Sequence, residues 1–241
     1  MGYGIEISNL RKEFGSHVAV DNLTLNINEG EIFAFLGVNG AGKTTTIRML
    51  TGLTEPTSGD ARVLGHSIRN ELDRVKEIGN LSPQETSVAP GLTVKENLLF
   101  IAGIYGLSRE EGLKRAEEIK DGFELHEVWD KRAKTLSGGW QRKVSIAMAL
   151  ITEPKILYLD EPTLGLDVLA RRELWRVIEG LKGKTTIVLT THYMEEAEAL
   201  SDRIGIMVKG RLVTEGTLTE LRERTGKDRL EDIFVSVVEA L

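Results

Sequence analysis

Cysteine is absent from the 241-residue sequence. Without thiols the protein cannot form disulfides, and it cannot use a thiolate as a nucleophile or as a metal ligand. Its four histidines are scattered along the chain and show none of the spacings typical of metal sites. The lack of cysteine fits a protein that works in a reducing compartment.

Long apolar segments are missing as well. The longest nearly apolar run, Val144–Ile151, is far too short to cross a bilayer. The N-terminus has no basic segment followed by an apolar block, so we expect no signal peptide. Glu6 stands where an N-myristoylation motif requires Ser or Thr. These features predict a soluble intracellular protein.

Positive charge is in deficit, with 31 Lys and Arg against 37 Asp and Glu and a formal net charge of −6. This balance argues against a broad nucleic-acid-binding face, and we expect no nucleic-acid partner. The length, with 41% hydrophobic and 28% charged residues, suits one globular domain or one domain with an insertion.

The most informative segment is Gly37–Thr45, which reads Gly-Val-Asn-Gly-Ala-Gly-Lys-Thr-Thr. It follows Ile32–Leu36, which we predict to be a buried strand, and precedes Thr46–Leu53, whose apolar residues have helical spacing. In that context the pattern Gly-x-x-x-x-Gly-Lys-Thr cradles phosphate with backbone N–H groups. Lys43 would neutralise the outer phosphates and Thr44 would hold Mg²⁺. The residues assigned to the cradle are Gly37, Asn39, Gly40, Ala41, Gly42, Lys43, Thr44 and Thr45.

A glycine turn with a solvated lysine is the alternative for this segment. Average residue usage places the full pattern in roughly one chain in a hundred of this length. Gly183–Thr186 repeats Gly-Lys-Thr-Thr, but Ile178 stands where the first glycine is required. We interpret the first copy as a nucleotide site and the second as a turn into a strand.

Two acidic residues, Asp160 and Glu161, follow another predicted strand, Lys155–Leu159. An apolar strand can deliver a Mg²⁺-coordinating carboxylate to a phosphate site at its C-terminal end. Two acids after one strand are common in themselves. Together with Lys43 and Thr44 they predict a site for Mg²⁺ and a nucleotide.

Secondary-structure patterns surround these motifs. Residues 1–30 show the short alternating apolar groups of half-buried strands, and Phe14 is assigned to a loop between them, where it could pack in the core or stack on a base. From about Val94 to Leu150 the apolar spacing is helical, which predicts an insertion whose last helix is capped by Ser137. Strands that alternate with helices on either side predict an α/β fold with parallel core strands.

Several ordered motifs make the chain similar to the ATP-binding subunits of ABC transporters from about Ile5 to Thr214. The signature motif sets that family apart from other P-loop enzymes. In chain order the matching segments are Phe14 (adenine-stacking aromatic), Gly37–Thr45 (Walker A), Gln84 (Q-loop), Leu136–Gly139 (signature), Ile156–Glu161 (Walker B with its catalytic acid), Leu164–Asp167 (D-loop) and His192 (switch histidine).

The resemblance implies how the site is assembled and what its residues do. Two copies, or this chain and a homologous subunit, would pair head to tail on binding ATP. Ser137, Gly138 and Gly139 of one would then face the γ-phosphate held by the other. The implied catalytic residues are Glu161, His192 and Lys43. The implied Mg²⁺ ligands are Thr44, Gln84 and Asp160.

The resemblance also implies the architecture. It predicts a P-loop NTPase core with a mainly parallel sheet, an N-terminal antiparallel β part and an inserted helical subdomain. We assign residues 1–84 and 151–215 to the core, 85–150 to the subdomain and 216–241 to a short helical tail.

The implied function is Mg²⁺-dependent ATP hydrolysis that powers transport through separately encoded transmembrane permease subunits. The chain would lie on the cytoplasmic face of the cell membrane, held by its partner. Leu230–Phe234 is similar to the tail of drug- and polysaccharide-export ATPases, which favours export. The alternative is a soluble ABC ATPase of translation or DNA repair. A P-loop GTPase is disfavoured because the guanine motif Asn-Lys-x-Asp is absent, and a kinase is disfavoured because of the signature.

Two residues depart from the commoner family pattern. Val38 replaces a frequent proline in the glycine loop, and Trp140 replaces a glutamine after the signature glycines. The sequence leaves open whether the Trp140 indole borders the partner's nucleotide or packs inside the helical subdomain.

Overall fold

The structure is a computed structural model that describes residues 2–240. Strands and helices alternate along much of this range, which confirms the predicted α/β class. In chain order the strands are β1 (Tyr3–Phe14), β2 (His17–Asn28), β3 (Ile32–Leu36), β4 (Ser58–Val63), β5 (His66–Ser67), β6 (Gly79–Ser82), β7 (Ile156–Asp160), β8 (Thr186–Thr191), β9 (Arg203–Val208) and β10 (Arg211–Gly216). The helices are α1 (Lys43–Leu50), α2 (Leu72–Ile78), α3 (Val94–Ile104), α4 (Arg109–Gly122), α5 (Gly138–Leu150), α6 (Val168–Glu179), α7 (Met194–Leu200), α8 (Leu218–Thr225) and α9 (Leu230–Glu239), with 3₁₀ turns at His126–Val128 and Ala133–Thr135.

An antiparallel sheet with the order β2-β1-β4-β5 forms the N-terminal part of the fold, as predicted. The placement of Phe14 on a loop between short strands is wrong, because β1 and β2 each run for 12 residues. Register shifts along β1, with Asn9 at a φ of 50°, keep the two strands paired. Phe14 therefore ends β1, directly opposite His17 at the tip of the hairpin.

The second sheet has the order β10-β9-β3-β8-β7-β6 and is parallel except for the β9–β10 pair. Every residue of β3, β7 and β8 is buried, which explains the apolar runs Ile32–Leu36, Ile156–Leu159 and Ile187–Leu189 within them. Successive side chains of β3 point to opposite faces. Phe33 and Phe35 pack with the N-terminal sheet, whereas Ile32 and Leu36 join the core that includes the helical segment.

The predicted helical insertion consists of α3, α4 and α5. Thr93 and Ser108 begin the first two of these helices with capping boxes, and Ser137 caps α5 as predicted. All residues of α5 from Arg142 to Leu150 are buried, because this helix packs against β6 and β7 as well as α3. The last helix of the insertion thus also forms part of the core, and the assignment of residues 85–150 to a subdomain stays a prediction.

Local hydrogen bonds explain where two helices begin. The Ser67 hydroxyl accepts the N–H groups of Arg69 and Asn70 in the turn before α2, and the helix begins at Leu72. The Asp167 carboxylate accepts the N–H groups of Leu169 and Ala170 and caps α6, which begins at Val168.

The second Gly-Lys-Thr-Thr segment and the tail follow their predictions. Gly183 has a φ of 76° in a turn, and Thr186 begins β8. In the tail Gly226 ends α8 with a φ of 66°, and α9 buries Phe234 against the core. Within residues 2–240, none of the helices has the length and apolar character needed to span a bilayer.

Candidate active site

The glycine loop connects β3 to α1 and leaves backbone N–H groups at the start of the helix without side-chain partners. Gly42 caps α1 in a left-handed conformation, with a φ of 100°. A Cβ at Gly42 would lie 2.5 Å from the Ala19 carbonyl oxygen, so a larger residue would displace the backbone. The amides at the helix start and the helix dipole together make this end of α1 an anion site.

A cavity of about 390 Å³ opens over this loop. It gathers most of the residues that the sequence assigned to nucleotide binding, together with His17, Ala19 and Leu164, which it did not. Its lining consists of Phe14, His17, Ala19, Asn39, Gly40, Ala41, Gly42, Lys43, Thr44, Thr45, Gln84, Glu161, Leu164 and His192. The predicted Gly37 lies just outside, where its N–H donates to the Thr191 carbonyl.

Lys43 is only 5% exposed, yet its amino group reaches the cavity. The Nζ atom donates to the carbonyl oxygens of Gly37 at 2.6 Å and Val38 at 3.2 Å. It also lies 3.3 Å from Oε1 of Glu161. These contacts fix a positive charge beside the glycine loop and next to the predicted catalytic acid.

Asp160 is held at the end of β7 by two hydroxyl groups. The Thr44 Oγ1 atom donates to Asp160 Oδ1 at 2.9 Å, and Thr190 Oγ1 donates to the same oxygen at 2.6 Å. The second bond follows from sheet register, because Asp160 and Thr190 are paired residues of β7 and β8. Gln84 lines the same cavity from the loop after β6.

These side chains offer hydroxyl, carboxylate and amide oxygens, which are the hard donors that Mg²⁺ prefers. No group of three or more His, Cys, Asp or Glu residues in the range 2–240 could hold a metal by itself. Mg²⁺ usually takes one or two protein oxygens and completes its shell with substrate phosphates and water. Thr44 and Asp160 therefore fit a Mg²⁺–nucleotide complex better than a permanent metal centre.

Glu161 is buried and adopts a left-handed backbone with a φ of 50°, which is costly for a residue other than glycine. Its N–H donates to both the carbonyl oxygen and Oγ1 of Thr190, at 3.1 and 3.0 Å. Its Oε2 atom lies 2.6 Å from Nδ1 of His192. The strained turn after β7 thus aims the carboxylate at Lys43 and His192.

The signature residues lie elsewhere on the chain. Ser137 and Gly139 border a separate small cavity of about 60 Å³, and Ser137 and Gly138 are exposed. The Ser137 hydroxyl accepts the N–H of Trp140 at 3.4 Å and caps α5. One chain therefore does not bring its own signature to its own nucleotide cavity.

Trp140 combines features of both readings that the sequence left open. Its indole is half-buried and packs against the helical core, with the Lys143 Nζ atom 4.9 Å from the ring centroid. It also borders the small cavity beside Ser137, next to Glu173 of α6. Its contact with a partner's nucleotide stays a prediction.

Sequence reasoning missed residues that support the site rather than line it. Thr190 holds both Asp160 and Glu161, and its one signal was a polar residue at the end of an apolar strand. Arg142 reaches the carbonyl oxygen of Glu161 from α5 at 3.4 Å. No sequence signal marked Arg142, because a charged residue near the start of an apolar helix is usually exposed.

The fold and site define a P-loop nucleoside triphosphatase: a glycine loop and lysine at a helix start, with two carboxylates at the C-terminal end of β7 in the same parallel sheet. The chain belongs to the ABC transporter family, whose model, described as "ABC transporter", matches residues 20–164. This confirms the resemblance that the ordered motifs indicated.

Among curated relatives, the chain is 43% identical to the daunorubicin/doxorubicin resistance ATP-binding protein DrrA of Streptomyces peucetius, over 94% of this chain and 69% of that protein. It is 44% identical to human phospholipid-transporting ATPase ABCA3 over 92% of this chain. The chain spans only 13% of the length of that relative.

Two solved structures extend the comparison. The CbiO1 protein of Clostridium perfringens, described as part of the transporter complex CbiONQ, has a TM-score of 0.82 at 26% identity, over 94% of this chain and 97% of that one. The ATP-binding cassette MJ0796, a dimer in a post-hydrolysis state with ADP and Pi, has a TM-score of 0.79 at 28% identity, over 88% and 98%.

Proposed function

We propose that this protein is an ATP-hydrolysing subunit that powers transport, in the direction of export, through separate membrane subunits. The observation that carries the proposal is the contact of Lys43, Glu161 and His192 beside the glycine loop. Lys43 supplies a cation that can bind phosphate, and Glu161 supplies a base that can act on water. His192 can hold the γ-phosphate and the water in line. The resistance role in the name of DrrA supports export.

ATP would bind with its phosphates over the amides that begin α1 and its adenine beside Phe14 at the hairpin tip. Lys43 would meet the outer phosphates. Thr44, Asp160 and Gln84 would hold Mg²⁺, which would offset the negative charge on the phosphates.

Hydrolysis would then depend on Glu161. Its carboxylate would take a proton from the attacking water, since it is held at both oxygens by neighbours and lies in the cavity. His192 contacts it through Nδ1, which leaves Nε2 for the γ-phosphate.

A second copy, or a homologous subunit, would complete the site. Ser137 and the amides of Gly138 and Gly139 form an exposed helix start, remote from the cavity of their own chain. Head-to-tail pairing would bring this helix start to the partner's γ-phosphate. The dimeric state of MJ0796 supports such pairing.

A membrane subunit would dock on an apolar groove of about 390 Å³ between α1, β6 and α3. Leu53 and Tyr105 line the groove and are exposed, and Phe100 and Ile104 extend the apolar surface along α3. The groove wall includes Leu81, only three residues before Gln84 in the nucleotide cavity. Through this short connection, ATP binding would change the position of the residues that contact the membrane subunit. The description of CbiO1 as part of a transporter complex supports such a partner. The chain would then lie on the cytoplasmic face of the membrane.

Co-expression with a membrane subunit encoded beside it would test this function. We expect a stable complex that, once reconstituted in vesicles, moves a substrate across the vesicle membrane only when Mg²⁺-ATP is present. A matched complex with Glu161→Gln should assemble but not transport. Full ATPase activity in a protein that associates with ribosomes or DNA-repair proteins instead of a membrane subunit would contradict the proposal.

A further inference from the structure

Arg142 on α5 is a buried cation for which the hydrolytic scheme above has no use. It is 4% exposed, and within residues 2–240 no carboxylate lies within ion-pairing distance of it. Burial lowers the pKa of its guanidinium, and the nearby charges of Asp160, Glu196 and Glu161 oppose that shift. A buried charge of this kind needs hydrogen-bond acceptors to be tolerated.

The acceptors are three backbone carbonyl groups from two different segments. The guanidinium donates to the carbonyl oxygens of Pro83 and Gln84 in the loop after β6. It also donates to the carbonyl oxygen of Glu161 after β7, at 3.4 Å. One planar group from the helical insertion thus bridges the loop that carries Gln84 and the turn that carries the catalytic carboxylate.

The bond to Glu161 matters because that turn is strained. Thr190 holds the N–H of Glu161, and Lys43 and His192 hold its carboxylate. The carbonyl oxygen accepts the Leu164 N–H at 3.2 Å within its own turn, and Arg142 is the side chain that reaches it, through the longest of the three guanidinium bonds. A left-handed residue of this type persists only where its surroundings fix it, so a shift of this bond would reorient the Glu161 peptide.

We propose that Arg142 is a positioning residue that couples the Gln84 loop to Glu161, so that the carboxylate is aligned for hydrolysis only when the loop is in its nucleotide-bound position. The inference rests on the proposed ATPase function. A planar guanidinium can bridge both segments with several donors in a fixed geometry, whereas a lysine amine offers a single point of charge.

Two substitutions and a matched control test this role. Arg142→Met keeps the length and removes the donors, and Arg142→Lys keeps the charge. Arg115→Met is the control, because Arg115 also donates to a backbone carbonyl, that of Ile151 at the other end of α5. We expect Arg142→Met to lower kcat about tenfold or more while KM and the Kd for ATP change less than about threefold. Arg142→Lys should fall between this variant and the unsubstituted protein, and Arg115→Met should stay within about twofold in kcat.

A double substitution separates coupling from simple support. If Arg142 acts through the Gln84 loop, the two losses should not multiply. The kcat of the double variant Gln84→Ala with Arg142→Met should then lie within about twofold of the kcat of the slower single variant. Losses that multiply would overturn the inference, as would equal losses of ATP affinity and kcat in Arg142→Met. If Arg142→Met does not fold, the same cycle with Arg142→Lys decides. Normal turnover in Arg142→Met overturns this role alone, whereas an unsubstituted protein that hydrolyses no ATP overturns the proposed function and this role with it.

Discussion

The phosphate cradle and the signature segment are built in opposite ways. The cradle is closed by contacts between distant parts of the chain: Lys43 on α1 meets Glu161 after β7, and Thr190 on β8 holds Asp160. The signature is local, an exposed turn in which Ser137 caps its own helix. The charged side chains of the first region are held by one another across the fold, whereas the second region presents the N–H groups of Gly138 and Gly139 at an exposed helix start. A region of the second kind suits contact with another molecule.

The largest effect is expected at the cradle from Glu161→Gln. The amide keeps the size of the side chain but removes the base, so phosphate release should fall by about 10²–10⁴-fold. ATP binding should persist, and closure without hydrolysis should leave an ATP-bound dimer in size-exclusion chromatography with Mg²⁺-ATP. A variant that retains near-normal phosphate release would show that Glu161 is not the base.

Lys43→Ala should come next. Loss of one phosphate-facing donor typically costs about 10²–10³-fold in rate, and here ATP affinity should fall as well. Turnover and equilibrium ATP binding measure the two effects. Near-normal turnover in the purified variant would refute the assignment of Gly37–Thr45 as the phosphate site.

Gly138→Asp should separate the signature from the cradle. A Cβ at Gly138 meets nothing within 4 Å, and a carboxylate at a helix start is favourable, so the melting temperature should not fall. The same charge would repel a partner's γ-phosphate, and we expect ATP-driven pairing of the Glu161→Gln protein to be lost. Gly122→Asp is the matched control, since its Cβ is equally unobstructed on α4. If Gly138→Asp pairs as well as the control, the signature does not face the partner's phosphate.

Thr190→Val tests the internal support of the cradle at a smaller scale. It removes the hydroxyl that donates to Asp160 and accepts from Glu161, so we expect a loss of about 1–3 kcal/mol in the free energy of unfolding. The ATP turnover of Thr190→Val should fall together with its stability. Thr186→Val also removes a buried hydroxyl acceptor, at the other end of β8, and should lose stability with turnover unchanged. Equal turnover in the two variants would mean that Thr190 only stabilises the fold.

The smallest expected effect is a shift in Trp140 fluorescence. The indole borders the cavity beside Ser137, so ATP-driven pairing should change its exposure. A difference between the emission of Glu161→Gln and that of Glu161→Gln with Trp140→Phe removes the contributions of Trp129 and Trp175. This difference should follow dimer formation as Mg²⁺-ATP is added. A constant difference while the dimer forms would place Trp140 in the core of the helical segment only.

The sequence predicted those parts of the fold that are encoded locally. Continuous apolar runs marked β3 and β7. The lengths of β1 and β2 could not be predicted, because register shifts carry the pairing through residues such as Asn9 that a periodicity argument assigns to turns.

The residues of the site that belong to local motifs could likewise be predicted from the sequence, whereas those that depend on tertiary contacts could not. Glycine spacing and strand-end acids indicated Lys43, Thr44, Asp160 and Glu161 without reference to tertiary structure. The Thr190–Asp160 bond depends on the register of β7 against β8, and register is set by packing across the sheet rather than by either strand alone. Arg142 could not be predicted for a related reason. Its burial depends on carbonyl acceptors that lie about 20 to 60 residues away in sequence, and a periodicity argument does not consider such contacts.

The strand order has a consequence for how the protein is made. β3 lies between β8 and β9, so residues 32–36 find their hydrogen-bonding neighbours about 150 to 170 residues later in the chain. During synthesis the glycine loop therefore cannot adopt its final conformation until most of the polypeptide has been made. Strand pairing between residues so far apart in sequence is also slow. The nascent chain should gain affinity for ATP late and abruptly, once β9 has left the ribosome. From that moment the nucleotide itself favours the folded state by mass action.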